Sequence, residues 1–200
     1  MSEDINLDGY TEEKLKFNMI WVNIFAIIVI IFAILIFGVP FYIIWPELIN
    51  FSSGYNQNIE IQTRIINIIF ALMPLFVGFL IHELIHGIFY AIYAKNGFKS
   101  IKIGLKLKYG VAYCICNELI KIKNCIIVLL MPTIILGFIP AILSIVIGSY
   151  LLLFYGILFI GGGTGDFLVI IRLLKENKED YFLDLFGPEK YSFIYRKTKE

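Results

Sequence analysis

The sequence predicts an α-helical polytopic membrane protein with about four transmembrane helices and a small β-hairpin at the membrane surface after the second helix. Of the 200 residues, 59% are hydrophobic and only 16% are charged, a balance unlike that of an ordinary soluble domain. The apolar residues also gather into four runs, each longer than the roughly 20 residues that a helix needs to cross a bilayer. We therefore expect a single membrane-embedded domain over residues 1–200.

Polar segments separate the four apolar runs and set their limits. The predicted spans are 17–45, 65–94, 125–148 and 151–174, with a leader at 1–16, a hairpin at 99–117 and a tail at 175–200. The first apolar run is too long for a signal peptide and follows an acid-rich leader, so we expect it to be a retained anchor.

Prolines and glycines predict irregularities inside the spans. Pro74 predicts a kink in the second span, because proline removes a helical hydrogen bond and crowds the preceding turn. Pro132 and Pro140 predict that the third span is bent or broken. The glycine-rich run at 161–165 predicts an interruption of the fourth span. We favour a packing surface there over a source of amide donors for an oxyanion.

Basic residues predict the orientation of the spans. The loop between the first two spans holds only Arg64. Apart from Arg172 in the fourth span, the other basic residues lie in the leader, between spans two and three, and in the tail: Lys14, Lys16, Lys95, Lys99, Lys102, Lys106, Lys108, Lys121, Lys123, Lys175, Lys178, Lys190, Arg196, Lys197 and Lys199. By the positive-inside rule, both termini and the 95–123 loop are expected in the cytoplasm. We expect a prokaryotic plasma membrane, with lipid and a membrane-protein or peptide substrate as partners.

No basic stripe with interleaved aromatic residues is present, so nucleic acid is not an expected partner. The chemistry of the chain is instead concentrated in its two histidines, His82 and His86, which form an HExxH motif with Glu83 inside the second span. A four-residue step puts both imidazoles on one helix face, where they can bind one Zn²⁺ beside the Glu83 carboxylate. A cluster that only links helices would desolvate three polar groups without a metal, so we favour the metal site.

A third ligand can be sought by elimination. A catalytic zinc site needs three protein ligands, and the chain has no third histidine. Asp166 is the only carboxylate besides Glu83 in the four predicted spans, nine residues before Lys175, just as His86 lies nine residues before Lys95. At 1.5 Å per residue, both lie roughly 14 Å from the same basic boundary. We therefore expect Asp166 to be the third ligand.

Other roles for these carboxylates remain open at this point. Asp166 could pair with Arg172 or cap the helix that follows the glycine run. Glu118 competes for the role of third ligand, although it begins a lysine-bounded segment at the predicted interface rather than at the depth of His86. Three cysteines near the same segment, Cys114, Cys116 and Cys125, are expected to form neither a disulfide framework nor a metal site.

The segment after the second span has the period of a β-hairpin. Apolar and polar residues alternate from Ile101 to Lys108, Tyr109 and Gly110 interrupt the pattern, and alternation resumes from Val111. This predicts an amphipathic hairpin at the membrane surface. Its free edge could hold an extended substrate by main-chain hydrogen bonds, or its lysines could anchor it to lipid headgroups.

Taken together, these features resemble a known family. The resemblance rests on the segment His82-Glu83-Leu84-Ile85-His86-Gly87, the hairpin, Met131-Pro132 in the third span and Gly165-Asp166 in the last. The chain resembles the putative-zincin membrane family over roughly residues 60–190, and that family is similar to the site-2 protease clan of intramembrane zinc metalloproteases. Site-2 proteases usually carry their aspartate in a Leu-Asp-Gly or Asn-Pro-x-x-Asp-Gly setting. Here Phe167 follows Asp166, so the likeness to the clan is weaker than the likeness to the family.

The resemblance implies that His82, His86 and Asp166 bind zinc and that Glu83 is the general base. We therefore expect a zinc metalloendopeptidase that cuts a membrane or juxtamembrane peptide bond in the cytosolic half of the bilayer. The alternative is a non-peptidase scaffold or chaperone with a structural metal site, which would have no use for an acid between the two histidines. A glutamate protease of the prenyl-protein type would need paired glutamates in one span, and the sequence lacks them.

Overall fold

The computed structural model describes residues 9–49, 61–106, 111–185 and 192–198. Seven α-helices make up most of these residues. They are α1 Met19–Ala33, α2 Val39–Ile44, α3 Ile61–Tyr93, α4 Ile122–Thr133, α5 Ile139–Ile147, α6 Tyr150–Gly162 and α7 Thr164–Leu173. The strands are β1 Tyr10–Leu15, β2 Ile101–Lys106, β3 Val111–Cys116, β4 Ile120–Lys121, β5 Tyr181–Leu183 and β6 Ser192–Lys197.

Three of the helical stretches are long and apolar enough to cross a membrane. They cover Ile20–Ile44, Leu72–Tyr93 and Ile122–Ile147, and the bent pair α6 and α7 makes a fourth if it is counted as one span. The predicted helical architecture is therefore confirmed. Many large apolar side chains on these helices are exposed, among them Ile20, Phe70 and Val146, and so wide an apolar surface is typical of a protein that contacts lipid.

Proline affects the third span less than the sequence predicts. A π-helical turn over Ile134–Phe138 joins α4 to α5 in one continuous helix, so of the predicted bend or break the break is wrong, and the bend stays a prediction. A similar turn over Ile34–Gly38 joins α1 to α2. Each turn ends two residues before a proline, Pro40 or Pro140. The wider π turn shifts the backbone by one residue, which accommodates the proline ring without ending the helix. Pro74 also lies inside a continuous helix, α3.

The predicted interruption of the fourth span lies at Gly163. There α6 ends, α7 begins, and the helix axis turns by 45°. The site that a Cβ atom of residue 163 would occupy is only 2.1 Å from the hydroxyl oxygen of Thr133 on α4. Because only glycine leaves room for that hydroxyl, α4 can pack directly against the break.

The structure contains the predicted hairpin and a sheet that the sequence analysis did not predict. Strands β2 and β3 pair antiparallel, with Ile103 opposite Cys114 and Leu105 opposite Ala112. The predicted turn at Tyr109 and Gly110 lies outside the described residues, and the position of the hairpin at a membrane surface stays a prediction.

The second sheet has four antiparallel strands in the order β1-β6-β5-β4. It joins the leader, the tail and the residues just before α4 at one end of the helices. The larger buried cluster lies between this sheet and helices α3, α4 and α7, and includes Tyr90, Val128, Leu173 and Ile194. The helices that carry the candidate metal ligands are therefore packed together on a common core.

Candidate metal centre

Helix α3 supplies two buried histidines to the site. His82 and His86 are one helical turn apart, and their ring centroids are separated by 4.8 Å. Gly87 follows directly, and a Cβ atom there would be 3.1 Å from Cδ1 of Ile103 on the hairpin. The absence of a side chain at Gly87 therefore lets the apolar face of the hairpin pack against the histidine-bearing turn.

Helix α7 brings Asp166 to the two histidines. Oδ2 of Asp166 lies 3.2 Å from Nε2 of His82 and 3.5 Å from Nε2 of His86. The two Nε2 atoms are 3.2 Å apart. These three side chains are the group within the described residues whose donor atoms could hold a metal ion. The structure thus brings together all three ligands predicted from the sequence, although 84 residues separate His82 from Asp166.

The separation of the three donor atoms fits a zinc ion. Zinc takes imidazole nitrogen and carboxylate oxygen at about 2.0–2.2 Å in a tetrahedral arrangement, which puts neighbouring ligand atoms about 3.3–3.6 Å apart. The observed separations are 3.2, 3.2 and 3.5 Å. Two imidazoles and one carboxylate also leave the fourth tetrahedral position open, as catalytic zinc sites require.

A backbone carbonyl on α4 orients one of the histidines. Nδ1 of His86 lies 3.1 Å from the carbonyl oxygen of Val128. Because a carbonyl only accepts, Nδ1 carries the proton and donates it, and in the neutral ring Nε2 then has a lone pair directed toward Asp166. A metal ion placed between this lone pair and the Asp166 carboxylate would be bound by both. The hydrogen bond from Nδ1 of His86 to the Val128 carbonyl is of the kind that commonly fixes the tautomer of a metal-ligating histidine.

Neither alternative role of Asp166 is formed. Arg172 binds the Glu13 carboxylate, with its Nη2 at 3.0 Å from each oxygen, and also binds Glu176. The residue that caps the N-terminus of α7 is Gly163, which has no side chain to accept a hydrogen bond. The Asp166 carboxylate is therefore directed to the histidines.

Glu118 is bound elsewhere. Its carboxylate accepts hydrogen bonds from the backbone N–H groups of Lys95 and Asn96 at 2.6 and 3.2 Å, from Nδ2 of Asn96 at 2.6 Å, and from the Ser100 hydroxyl. Partial burial raises the pKa of this carboxyl, but the hydrogen bonds outweigh it and hold the pKa below its usual value. Glu118 thus fastens the end of the hairpin to the turn after α3.

Glu83 faces a cleft beside the histidines. The cleft has a volume of about 360 Å³ and lies between α3, α6 and the hairpin. His82 and Glu83 are polar residues of its lining, and the cross-strand pair Leu105 and Ala112 lines the hairpin side. A molecule in the cleft would therefore contact the acid and a candidate metal ligand together.

The three cysteines are buried free thiols. Burial raises the pKa of Cys116 to about 11 and that of Cys114 further still, so both thiols on β3 stay protonated at neutral pH. A protonated, buried thiol is neither a ready metal ligand nor a nucleophile.

The sequence analysis missed a buried polar contact next to the site. Tyr90 lies one turn after His86 on α3, and its hydroxyl donates to Oδ2 of Asp184 at 2.7 Å. Oδ1 of Asp184 accepts from the Ser192 hydroxyl at 3.0 Å. The available signal was the spacing of His82, His86 and Tyr90, four residues each, which places all three on one helix face.

Fold and site together define an apolar helical protein with a His-His-Asp group suited to zinc. Residues 75–181 match the family DUF3267, described as putative zincin peptidase. The chain belongs to this family, and the matched region contains both histidines, Glu83, the hairpin and Asp166. No curated protein and no solved structure matches the chain significantly. The likeness to the site-2 protease clan stays a prediction.

Proposed function

We propose that this protein is an integral membrane zinc metallopeptidase in which His82, His86 and Asp166 bind the metal and Glu83 is the general base. The observation that carries the proposal is the convergence of three donor atoms within 3.5 Å of one another at separations suited to tetrahedral zinc. Membership of the putative zincin peptidase family supports the same activity.

The residues around the ion would divide the chemistry of peptide hydrolysis. Bound zinc supplies a Lewis acid that polarises a peptide carbonyl and acidifies water. Glu83 accepts a proton as the water oxygen bonds to the carbonyl carbon, and then delivers it to the amide nitrogen as the C–N bond breaks. Val128 holds His86 in the tautomer that keeps Nε2 free for the metal.

The substrate that we propose is a peptide segment in or beside the membrane. The histidines lie in the apolar helix α3, and the hairpin packs directly against their turn. An extended peptide could add to a free hairpin edge by main-chain hydrogen bonds while its scissile bond lies at Glu83. Lipid is the other expected partner.

We further propose that the protein crosses a prokaryotic plasma membrane several times, with both termini and the 95–123 loop in the cytoplasm. The sheet that joins β1, β6, β5 and β4 supports a common side for these segments, because strands in one sheet lie on one side of the membrane. The distribution of lysine favours the cytoplasmic side.

A scaffold or chaperone with a structural metal is the rival function. Structural zinc sites are closed by four protein ligands, whereas this group offers three. Glu83 on the wall of the adjoining cleft also favours the enzyme.

Purified protein would decide between the two functions. We expect about one zinc per chain and cleavage of transmembrane peptides that stops after chelation and returns with added zinc. Bound zinc without cleavage of any peptide would favour the scaffold, and a protein that binds no zinc would overturn the site.

A further inference from the structure

The cleft beside Glu83 is lined by two chemically different groups of side chains. Of the described residues that line it, only His82 and Glu83 are ionisable. Phe79 lies one helical turn and Phe76 two turns before Glu83 on α3, and their rings line the cleft together with that of Phe159 on α6. A peptide with its scissile bond at Glu83 would therefore place an adjacent side chain against aromatic rings.

The position of Phe159 is fixed by its neighbours. The Cβ site of Gly78 lies 2.1 Å from Cζ of Phe159, so the ring lies directly on the α3 backbone where only glycine permits it. Its edge meets the Phe79 ring with centroids 5.8 Å apart and planes at 63°, a favourable geometry for an aromatic pair. Phe159 is only 6% exposed, so this part of the wall is rigid rather than adaptable.

Gly162 keeps the cleft open. It lies about one helical turn after Phe159, lines the cleft and is exposed. A Cβ atom there would meet only Cε1 of Phe79, at an ordinary contact distance of 3.8 Å. The space that a side chain at this position would take is therefore available to a substrate.

We propose that the aromatic part of this cleft, formed by Phe76, Phe79, Phe159 and Gly162, is a specificity pocket for a large apolar side chain next to the scissile bond. The inference rests on the proposed peptidase function and names its substrate class. The cleft volume of about 360 Å³ is at the low end for ligand sites, which suits one side chain and its backbone. A charged side chain would lose its hydration among rings that offer no counter-charge.

The test uses a peptide series that varies only the two residues flanking the cleaved bond, as Gly, Ala, Leu, Phe or Lys. Each methylene in an apolar pocket changes selectivity roughly 10–200-fold. We expect kcat/KM for Leu or Phe at one flanking position to exceed that for Gly or Lys at least tenfold. Equal kcat/KM across the series, with turnover intact, would overturn the pocket and leave the peptidase standing.

Two variants locate the pocket. Gly162→Leu fills the open space, so we expect the preferred flanking residue of the peptide to shift from Phe toward Ala. Phe159→Ala removes a ring from the lining and enlarges the cleft, so we expect the preference to shift toward larger side chains. Phe70→Ala is the matched control, because Phe70 is an exposed phenylalanine of α3 away from the cleft. All three variants should keep their zinc. An unchanged preference in both cleft variants would contradict the pocket.

A binding measurement separates the pocket from catalysis. Labelled peptides of the same series are titrated into the Glu83→Gln protein and followed by fluorescence anisotropy. Tighter binding of Phe peptides than Gly peptides, weakened by Gly162→Leu, would support the pocket even if the wild type cleaves nothing. Equal binding of all peptides would overturn it.

Discussion

At the scale of single residues, variants can separate the proposed role of Glu83 from that of the three proposed ligands. Glu83→Gln keeps the size of the side chain but cannot accept a proton, so we expect zinc to be retained and turnover to fall by roughly 10²–10⁴-fold. His82→Ala and His86→Ala each remove a ligand and should lose zinc as well as turnover. Zinc content and peptide cleavage, measured on the same preparations, check both parts. Loss of zinc in the Gln variant would place Glu83 among the ligands.

The two competing carboxylates call for a matched pair of variants. We expect Asp166→Ala to lose zinc, because Oδ2 of Asp166 is one of the three convergent atoms. Glu118→Ala should keep zinc but melt at a lower temperature, because Lys95, Asn96 and Ser100 lose their acceptor. Bound zinc and thermal unfolding are measured side by side. Full zinc in the first variant and its loss in the second would falsify this assignment.

The grouping of His82, His86 and Asp166 was predictable because its signals are local or rare. A four-residue step fixes His82 and His86 on one helix face, and a carboxylate inside an apolar span such as Asp166 has few competitors. The contact from His86 to the Val128 carbonyl was not predictable, because every residue has a carbonyl and only the packing of α3 on α4 selects this one. Tyr90 was missed because its partner lies far along the chain.

At the scale of elements, the hairpin register identifies which groups point outward. Asn117 N–H donates to the Ser100 carbonyl at 2.9 Å. Hydrogen-bonded pairs recur at every second position of an antiparallel ladder, so the cross-strand pairs two, four and six residues along β2 from Ser100 are hydrogen-bonded as well. In the observed register Lys106 and Val111 then exchange ladder bonds, whereas the N–H of Ile103 faces the free edge of β2. That edge is the one a substrate strand could join.

Proline at the two positions therefore tests different functions. Ile103→Pro removes an outward donor and should lower cleavage with zinc unchanged, while Val111→Pro removes a ladder bond and should act by loosening the hairpin. Ile103→Ala controls for the lost contact with Gly87. Cleavage rate and zinc content are compared. Unaltered turnover in both proline variants would leave the hairpin as a lipid anchor.

Elements with long or periodic patterns were predicted, and short distant ones were not. The four apolar runs and the period of two in the hairpin gave clear signals. Strand β4 has two residues and β5 has three, too few to show alternation. Their partners also lie far away in sequence, so only the folded chain shows the sheet. The π turn before Pro140 was not predicted either, because the sequence does not show that the helix continues as α5 after the proline.

At the scale of the whole molecule, the four-stranded sheet joins β1 of the leader to β5 and β6 of the tail, so we expect these strands on the same side of the membrane. If that side is the cytoplasm, a reporter fused after Asn96 should behave as cytosolic and one fused at Ser53 as external. Alkaline phosphatase and a fluorescent protein are suitable reporters because each is active on one side only. The reverse pattern would contradict the orientation, and with it the expectation that His86 and Asp166 lie at one depth from a cytosolic boundary.

The same end of the molecule carries an ionic clasp formed by Glu13, Arg172, Glu176 and Arg196. Arg172 binds both glutamates, and so does Arg196, whose Nε lies 2.6 Å from the Glu176 carboxylate. The clasp joins β1 and β6 to α7, the helix that carries Asp166. Hydrogen bonds from Arg196 and then Arg172 lower the pKa of Glu176 to about 2, from an ordinary value of 4.5.

This lowered pKa predicts how stability depends on pH. Because the folded state binds the Glu176 proton more weakly than the unfolded chain, the contribution of the clasp is complete above about pH 4.5 and is lost as pH falls toward 2. Glu176→Gln should therefore lower the melting temperature by several degrees at pH 7 and flatten its decline below pH 4.5.

Glu179→Gln is the matched control. The pKa of Glu179 is also lowered to about 2, by hydrogen bonds from Lys121 and Lys123, but its side chain is 55% exposed against 8% for Glu176. Solvent screens such a surface pair, so its removal should change the melting temperature little. An equal loss of stability in both variants, measured by thermal unfolding between pH 2 and 7, would show that the clasp is no more than a surface ion pair.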